Sequence, residues 1–149
     1  MLHIIYGDLL ASDATMIIHQ ANCFNVMGGG IARQIKRRYP QVFHEDRNHS
    51  IPVGDINRLG TYSSVSYLNK IIINAYGQHG YGRDKVYTQT DKLIQAIRQA
   101  VQENPNYTTK VGLPYQIGCG LAGGNWEEVF QELSMLSQEL QVDFYLYKL

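Results

Sequence analysis

Residues 16–32 read MIIHQANCFNVMGGGIA and contain the unit from which the rest of the fold can be worked out. The apolar run at residues 16–18 predicts a short buried strand, because such runs bounded by polar residues are typical of strands. A polar segment and the glycines at residues 28–30 follow it. Apolar residues then recur at helical spacing, at Ile31, Ile35 and Tyr39. The stretch is therefore predicted to be a strand, a glycine-rich loop and a helix in succession.

A second glycine-rich stretch, IGCGLAGGNW at residues 117–126, has the same surroundings. The short run before it, residues 110–114, predicts another strand. Asn125 is a suitable N-cap for a helix, and the apolar stripe behind it continues to Leu140. The order strand, glycine loop, helix thus occurs at two separate places in the chain.

The remaining segments complete a layered α/β domain. Further strands are predicted at residues 2–6, 61–67, 70–76 and 142–147, and the middle two form an antiparallel hairpin. Pro40 stops or redirects the first helix, and apolar spacing predicts another helix over residues 86–101. Strands that alternate with helices favour helices on both faces of the sheet. We therefore predict one domain over residues 1–149, a three-layer α/β/α sandwich around a mixed sheet of about six strands.

The two glycine loops suggest a ligand site. Ligands of open α/β sheets bind outside the carboxyl ends of the strands, and both loops leave strands at that edge. Glycine lets successive backbone N–H groups approach an anion, and a helix N-terminus adds partial positive charge. Two facing loops could hold a diphosphate without lysine or arginine, although the residues leave open that they are only tight turns. The dinucleotide fingerprint and the P-loop motif are absent, so a dehydrogenase or P-loop NTPase is not expected.

Charge and composition exclude other classes. Thirteen basic residues balance thirteen acidic ones, so no global field attracts nucleic acid or an acidic membrane, and neither partner is expected. The basic cluster at residues 33–38 is predicted to be a solvated helix end, where cations suit the helix dipole. Cys23 and Cys119 provide neither a disulfide framework nor a zinc site, and no apolar run is long enough to span a membrane. We expect a cytoplasmic protein without metal or cofactor.

The order of these pieces resembles a macrodomain over nearly the whole chain. The resemblance rests on Gly7-Asp8-Leu9, on residues 19–23 leading to residues 28–32, on residues 117–121 followed by Trp126, and on Tyr147 near the end of the final strand. The most similar branch holds ADP-ribose 1″-phosphate phosphatases, phage-type macrodomains and the terminal ADP-ribose glycohydrolase. The resemblance implies binding of ADP-ribose or a derivative, and hydrolysis of ADP-ribose 1″-phosphate or an ADP-ribosyl adduct. The alternative is a module that reads ADP-ribose without turnover.

The resemblance also implies roles for individual residues. Asp8, with Leu9 next to it, is implied to accept a hydrogen bond from the adenine amino group, and Tyr147 to stack on or beside the ring. Asn22 is implied to bond the distal ribose. The loops are implied to surround the distal ribose and the diphosphate through Gly28, Gly29, Gly30 and Ile31, and through Gly118, Cys119, Gly120, Leu121 and Ala122. The residues alone leave open that Asp8 only caps a turn, Asn22 only satisfies loop backbone and Tyr147 only packs in the core.

His19 is the candidate catalytic residue. It ends the second strand just before the binding loop, and its ordinary pKa of about 6.5 suits acid–base work near neutrality. The phosphatase branch has a similar histidine, but the alternative is a hydrogen-bonded histidine at a strand end. Two acids that the resemblance leads us to expect are missing. Many macrodomain hydrolases carry an aspartate just after the first glycine run, where this chain has Ile31-Ala32-Arg33, and Ala122 takes the place of the aspartate of the glycohydrolase branch.

A polar loop at residues 76–84 is predicted to move as a lid, since its glycines allow hinge motion. Gln78, Arg83 and Asp84 are its candidate site residues. Arg83 is suited to clamp a terminal phosphate with two hydrogen bonds. Asp84 is suited either to polarise a water or to cap the next helix.

Overall fold

The computed structural model describes all 149 residues and places six strands in one sheet. The strands are β1 (Leu2–Tyr6), β2 (Met16–Ala21), β3 (Tyr62–Tyr67), β4 (Lys70–Tyr76), β5 (Val111–Pro114) and β6 (Phe144–Lys148). Their order across the sheet is β1-β6-β5-β2-β4-β3, and every neighbouring pair is parallel except β3 and β4. The predicted mixed sheet is therefore confirmed.

Four helices cover the two faces of this sheet. They are α1 (Gly30–Arg38), α2 (Pro40–Arg47), α3 (Thr90–Glu103) and α4 (Trp126–Leu140). Ile18 and Ile73 pack with α3 and α4 in one apolar cluster, whereas Ile17 and Ile72 pack with α1 and α2 in another. Successive residues of a strand face opposite sides of the sheet, so these two clusters are the two layers of a three-layer α/β/α sandwich, as predicted. None of the helices is both long and apolar enough to cross a membrane.

Local sequence explains where several helices begin and end. Helix α1 ends at Arg38, and Pro40 is the first residue of α2, a position where its missing N–H is not needed. Asn125 caps α4, because its side-chain oxygen accepts a hydrogen bond from the Glu128 backbone N–H at 3.2 Å.

Helix α3 begins four residues later than the apolar spacing predicts. Val86 is 65% exposed and lies outside the helix. The Tyr87 N–H instead bonds to the Ala122 carbonyl at 2.8 Å, and the Gln89 N–H bonds to the Gly77 carbonyl at 2.7 Å. The prediction was wrong at this end because residues 86–89 form hydrogen bonds within their own loop and to the loop at residues 115–125 rather than extending the helix.

Candidate functional site

One cleft of about 590 Å³ lies at the carboxyl edge of the sheet. Strands β5, β2 and β4 are adjacent and parallel, so the loops that follow them meet at this edge. Those loops are residues 22–29, 77–89 and 115–125. The volume lies within the range of pockets that bury a small organic ligand.

The two glycine loops face each other across this cleft and touch at its wall. A Cβ added to Gly29 would come within 2.9 Å of the Leu121 side chain. Both residues line the cleft, together with Gly28 and Gly120. The space between the loops is therefore open rather than filled by protein.

Backbone N–H groups of both loops are free to bind a ligand. The N–H groups of Gly118, Gly120, Leu121 and Ala122 donate to no acceptor in the protein, and neither do those of residues 28–32. The second loop is held by a turn in which the Cys119 N–H donates to the Gln116 carbonyl at 2.9 Å. Gly118 has a φ of +75°, which other residues rarely adopt, and this conformation lets the chain reverse here.

The structure brings most of the predicted loop residues to one place. The predicted residues that line the cleft are Asn22, Gly28, Gly29, Gly30, Ile31, Gly118, Gly120, Leu121 and Ala122, with Gln78 and Arg83 of the predicted lid. Six other predicted residues do not line it: Asp8, Leu9, His19, Asp84, Cys119 and Tyr147.

His19 is fully buried and does not reach the cleft. It shares a strand face with Ile17, so its ring lies under α2, where its Nε2 bonds to Asn74 Oδ1 at 2.6 Å. The Asn74 amide nitrogen donates to the Val42 carbonyl and to Ser63 Oγ, so its oxygen faces the ring and His19 Nε2 carries the proton. Burial lowers the pKa of His19, which keeps the ring neutral. This placement argues against the catalytic role predicted for His19.

Asp8, Leu9 and Tyr147 lie outside the cleft wall. The Asp8 side chain is 44% exposed, and its Oδ1 accepts a hydrogen bond from the Leu10 N–H at 3.0 Å, so it caps the turn after β1. Its Oδ2 lies 3.7 Å from Arg38. Leu9 and Tyr147 pack in the apolar cluster beneath α1 and α2. In the protein itself, Asp8 therefore caps a turn and Tyr147 packs in the core, which were the alternatives to contacts with adenine.

Cys119 and Asp84 also have structural partners. The Cys119 N–H closes the turn described above, and its thiol packs against the core between α3 and α4. Burial raises the pKa of Cys119 to about 11, so it stays a thiol. Asp84 accepts a hydrogen bond from the Tyr87 hydroxyl at 2.6 Å and does not cap α3, because Gln89 occupies that position.

Asn22 shapes the first loop as well as lining the cleft. Its Nδ2 donates to the Val26 carbonyl at 2.8 Å, and its Oδ1 accepts from the Phe24 N–H at 2.9 Å. The side chain therefore satisfies loop backbone, which was the alternative to a contact with ribose.

Gln20 is the main cleft residue that sequence reasoning missed. Its Nε2 donates to Gln78 Oε1 and to Thr88 Oγ1, both at 2.8 Å. Thr88 Oγ1 in turn donates to the Gly118 carbonyl. The chain of hydrogen bonds links the predicted lid to the second glycine loop. Strand periodicity could have indicated Gln20 as a site residue, because its side chain lies on the opposite face of β2 from that of His19.

Tyr81, Tyr115 and Gln116 are further cleft residues that the sequence did not reveal. Tyr81 is 54% exposed and stands edge-on to Phe24, with ring centroids 6.4 Å apart. Tyr115 packs edge-on against Trp126 at 5.1 Å. Only their positions in loops at the carboxyl edge of the sheet could have pointed to them.

The fold and the cleft together define an α/β/α sandwich in which two glycine loops with unbonded backbone N–H groups line a cleft at the carboxyl edge of the sheet. Within this class, the model of the Macro domain family matches residues 18–133. The match covers most of the sequence, and the chain belongs to the macrodomain family.

Three comparisons show what this chain is similar to. An uncharacterized 17.5 kDa protein of Enterobacteria phage T4 is 27% identical, over 93% of this chain and 91% of that protein. A DNA ADP-ribosyl glycohydrolase of Mycobacterium tuberculosis is 32% identical over 95% of this chain, which spans only 40% of that protein's length. The solved macrodomain of Mycobacterium tuberculosis DarG matches with a TM-score of 0.79 at 29% identity, covering 100% of this chain and 98% of that one.

Proposed function

We propose that the chain binds ADP-ribose or a derivative in this cleft and hydrolyses ADP-ribose 1″-phosphate or an ADP-ribosyl adduct. The observation that carries the proposal is the pair of facing loops whose backbone N–H groups have no acceptor in the protein. Such groups bind best to a ligand with several closely spaced anionic oxygens, and a diphosphate offers them. The family membership supports the same ligand.

In this proposal the diphosphate lies between the loops, and the distal ribose lies against Asn22 and Gly29. The adenine lies toward Asp8, whose Oδ2 accepts no hydrogen bond and lies 3.7 Å from Arg38 Nη1, while Oδ1 caps the turn. The apolar surface around Leu9 and Tyr147 would border that ring.

Hydrolysis would depend on few ionisable side chains. The residues that line the cleft include no carboxylate, histidine or lysine, and the ionisable ones are Tyr81, Arg83 and Tyr115. Arg83 is exposed and forms no ion pair, so its guanidinium would stabilise negative charge that develops on the departing group. Gln78 Oε1, which accepts one hydrogen bond from Gln20, would orient the attacking water with its remaining lone pair. The water would form a bond to the phosphorus of the 1″-phosphate or to C1″ of an adduct, and the bond from that atom to the departing group would break. A phosphate oxygen of the substrate would take the proton of the water and pass it to the departing group. The activity named for the Mycobacterium tuberculosis relative supports turnover here.

A module that reads ADP-ribose without turnover is the second candidate. The absence of a carboxylate or histidine from the cleft wall favours it, because hydrolysis usually needs a general base close to the attacking water.

Calorimetric titration with ADP-ribose tests the binding that both candidates share. Incubation with ADP-ribose 1″-phosphate and with an ADP-ribosylated oligonucleotide then separates them, through released phosphate and released ADP-ribose. We expect wild type to release product and Arg83→Gln to lose at least about tenfold in rate. Lys85→Gln, a nearby exposed cation outside the cleft, is the matched control. Binding without any turnover would leave the reader as the function, and no ADP-ribose binding would contradict both.

We also propose that the protein works in the cytoplasm. Both cysteines are free thiols rather than disulfide partners, which is typical of proteins in a reducing compartment.

A further inference from the structure

We propose that Arg33, Lys36 and Arg37 form a second anion-binding subsite, which takes a phosphate group of a ligand that extends beyond ADP-ribose. The inference rests on the proposed function only in that ADP-ribose would occupy the adjoining cleft. It concerns the basic cluster of α1, which the sequence indicated to be a solvated helix end.

The three cations surround a depression next to the main cleft. This depression has a volume of about 370 Å³, and Met27 and Gly28 complete its wall. Met27 and Gly28 also line the main cleft, so the two spaces adjoin at the first glycine loop. A ligand that fills the cleft can therefore extend into the depression without leaving the protein surface.

The three cations form no ion pair in the protein. All three are exposed, and no carboxylate oxygen lies within ion-pairing distance of any of them. Arg38, the next residue, is different because it pairs with Asp8. The chain contains no aspartate or glutamate between residues 14 and 44, so nothing local neutralises this helix.

The arrangement on α1 concentrates positive charge on one side. Lys36 and Arg37 lie three and four residues after Arg33, so both neighbour Arg33 on the helix surface, and like charges at this spacing repel. The Lys36 ammonium lies 4.1 Å from the centre of the Phe43 ring, which restrains it. A bound anion would relieve the repulsion. The zero net charge of the chain does not cancel this local field, because salt screens charges more than about 10 Å apart.

The chemistry of the three side chains points to phosphate. Arginine binds phosphate oxygens with two parallel hydrogen bonds, and lysine adds a compact charge. The phosphate could be the terminal one of ADP-ribose 1″-phosphate or a phosphodiester of a nucleic acid strand that carries the ADP-ribosyl group. Both sources offer the same group to the same subsite, and the binding experiment distinguishes them.

The test uses three probes: ADP-ribose, ADP-ribose 1″-phosphate and a single-stranded oligodeoxynucleotide carrying one ADP-ribosyl group. The variant R33Q/K36Q/R37Q removes the three charges, and circular dichroism checks its fold. The variant K70Q/K92Q/R98Q is the control, because it removes three cations from β4 and α3, away from both spaces. Kd is measured for each probe, or KM where the probe is turned over.

We expect R33Q/K36Q/R37Q to keep its Kd for ADP-ribose within about twofold. Its binding of at least one of the other two probes, which carry a phosphate beyond the diphosphate, should weaken about tenfold or more. The control should change none of the three. The probe that is weakened identifies the source of the phosphate. The subsite does not exist if R33Q/K36Q/R37Q loses no more affinity than the control variant for ADP-ribose 1″-phosphate and for the oligodeoxynucleotide. It also does not exist if the affinity for ADP-ribose falls by as much as the affinity for those two probes. Failure of wild type to bind ADP-ribose would instead contradict the proposed function.

Discussion

Individual glycines in and beside the cleft differ in what an added side chain would contact. A Cβ on Gly124 would lie 2.6 Å from the Gly118 carbonyl oxygen, so a side chain there would displace the second loop. Gly30 has a φ of +55°, which costs other residues about 1–2 kcal/mol. Gly120 has an ordinary φ and no atom within 4 Å of its added Cβ, although it lines the cleft. It is therefore the position where a side chain would obstruct a ligand without disturbing the protein.

We predict that Gly120→Val leaves stability within about 1 kcal/mol of wild type and weakens ADP-ribose binding at least about tenfold. The isopropyl group would occupy space that the diphosphate needs beside the Gly120 N–H. Thermal unfolding and calorimetric titration measure the two effects. Ser66→Val, which adds the same isopropyl group at an exposed position of β3 outside the cleft, is the control. Unchanged affinity in Gly120→Val would show that the ligand does not approach this loop.

His19 has a structural role, so substituting it should lower stability without changing the affinity for ADP-ribose. Removing its ring leaves Asn74 Oδ1 buried without a donor, which costs about 1–3 kcal/mol. We therefore expect His19→Ala to unfold at lower urea concentration, His19→Gln to recover part of that loss, and both to bind ADP-ribose as wild type does. A loss of affinity larger than about threefold in His19→Gln would contradict the buried role.

The same burial predicts a pH dependence. Burial lowers the pKa of His19 in the folded protein, so below its ordinary value of about 6.5 the unfolded chain binds a proton that the folded chain does not. Stability is therefore retained above that pH and lost as the pH falls below it. His49 contributes in the same direction, because burial also lowers its pKa. The free energy of unfolding should fall less steeply between pH 7 and pH 5 in His19→Gln than in wild type, as measured by urea titration, and equal slopes would rule out His19 as a contributor.

At the scale of elements, the site forms where three loops that follow adjacent strands meet at one edge of the sheet. The sequence predicted two of them, because glycine runs between an apolar strand and an amphipathic helix are visible locally. It could not predict the Gln20 side chain between residues 77–89 and the second glycine loop, because that contact joins segments about sixty residues apart in the chain. The sequence analysis did not predict the burial of His19 for a related reason. It predicted the strand but did not consider that His19 lies on the same strand face as the core residue Ile17.

We predict that Gln20→Ala loosens the second glycine loop and weakens ADP-ribose binding by about three- to tenfold. The substitution removes the donor to Gln78 and Thr88, and Thr88 holds the Gly118 carbonyl. Amide hydrogen exchange should quicken at residues 118–124, which a general loss of stability would not confine to one loop. Gln99→Ala on the exposed side of α3 is the control. Wild-type exchange and affinity in Gln20→Ala would contradict the link.

At the scale of the whole molecule, apolar alternation and the order of elements were enough to predict three layers and a mixed sheet, both confirmed. The start of α3 was not predictable in the same way, since long-range hydrogen bonds at Tyr87 and Gln89 override the local apolar spacing. The net charge of zero describes the average charge of the molecule but does not reveal the positive charge of α1. The acids that balance this helix lie elsewhere in the chain.

Neutrality of the molecule and a cleft built mainly of backbone dipoles predict weak salt dependence for ADP-ribose. We expect its Kd to change less than about threefold between 50 and 500 mM NaCl, because Arg83 is the only cation that lines the cleft. Titration at several salt concentrations measures this. A steep dependence would mean that several charged side chains, rather than N–H groups, hold the diphosphate.

The central claim is that free backbone N–H groups on two facing loops bind the diphosphate, and nuclear magnetic resonance of the ¹⁵N-labelled protein tests it most directly. Titration with ADP-ribose should shift the amide signals of Gly118, Gly120, Leu121, Ala122 and residues 28–32 more than any others. Amides of α3 and of the β3–β4 hairpin should not move. If ADP-ribose leaves the signals of both loops in place, or shifts only those of another surface, the account of this site is wrong.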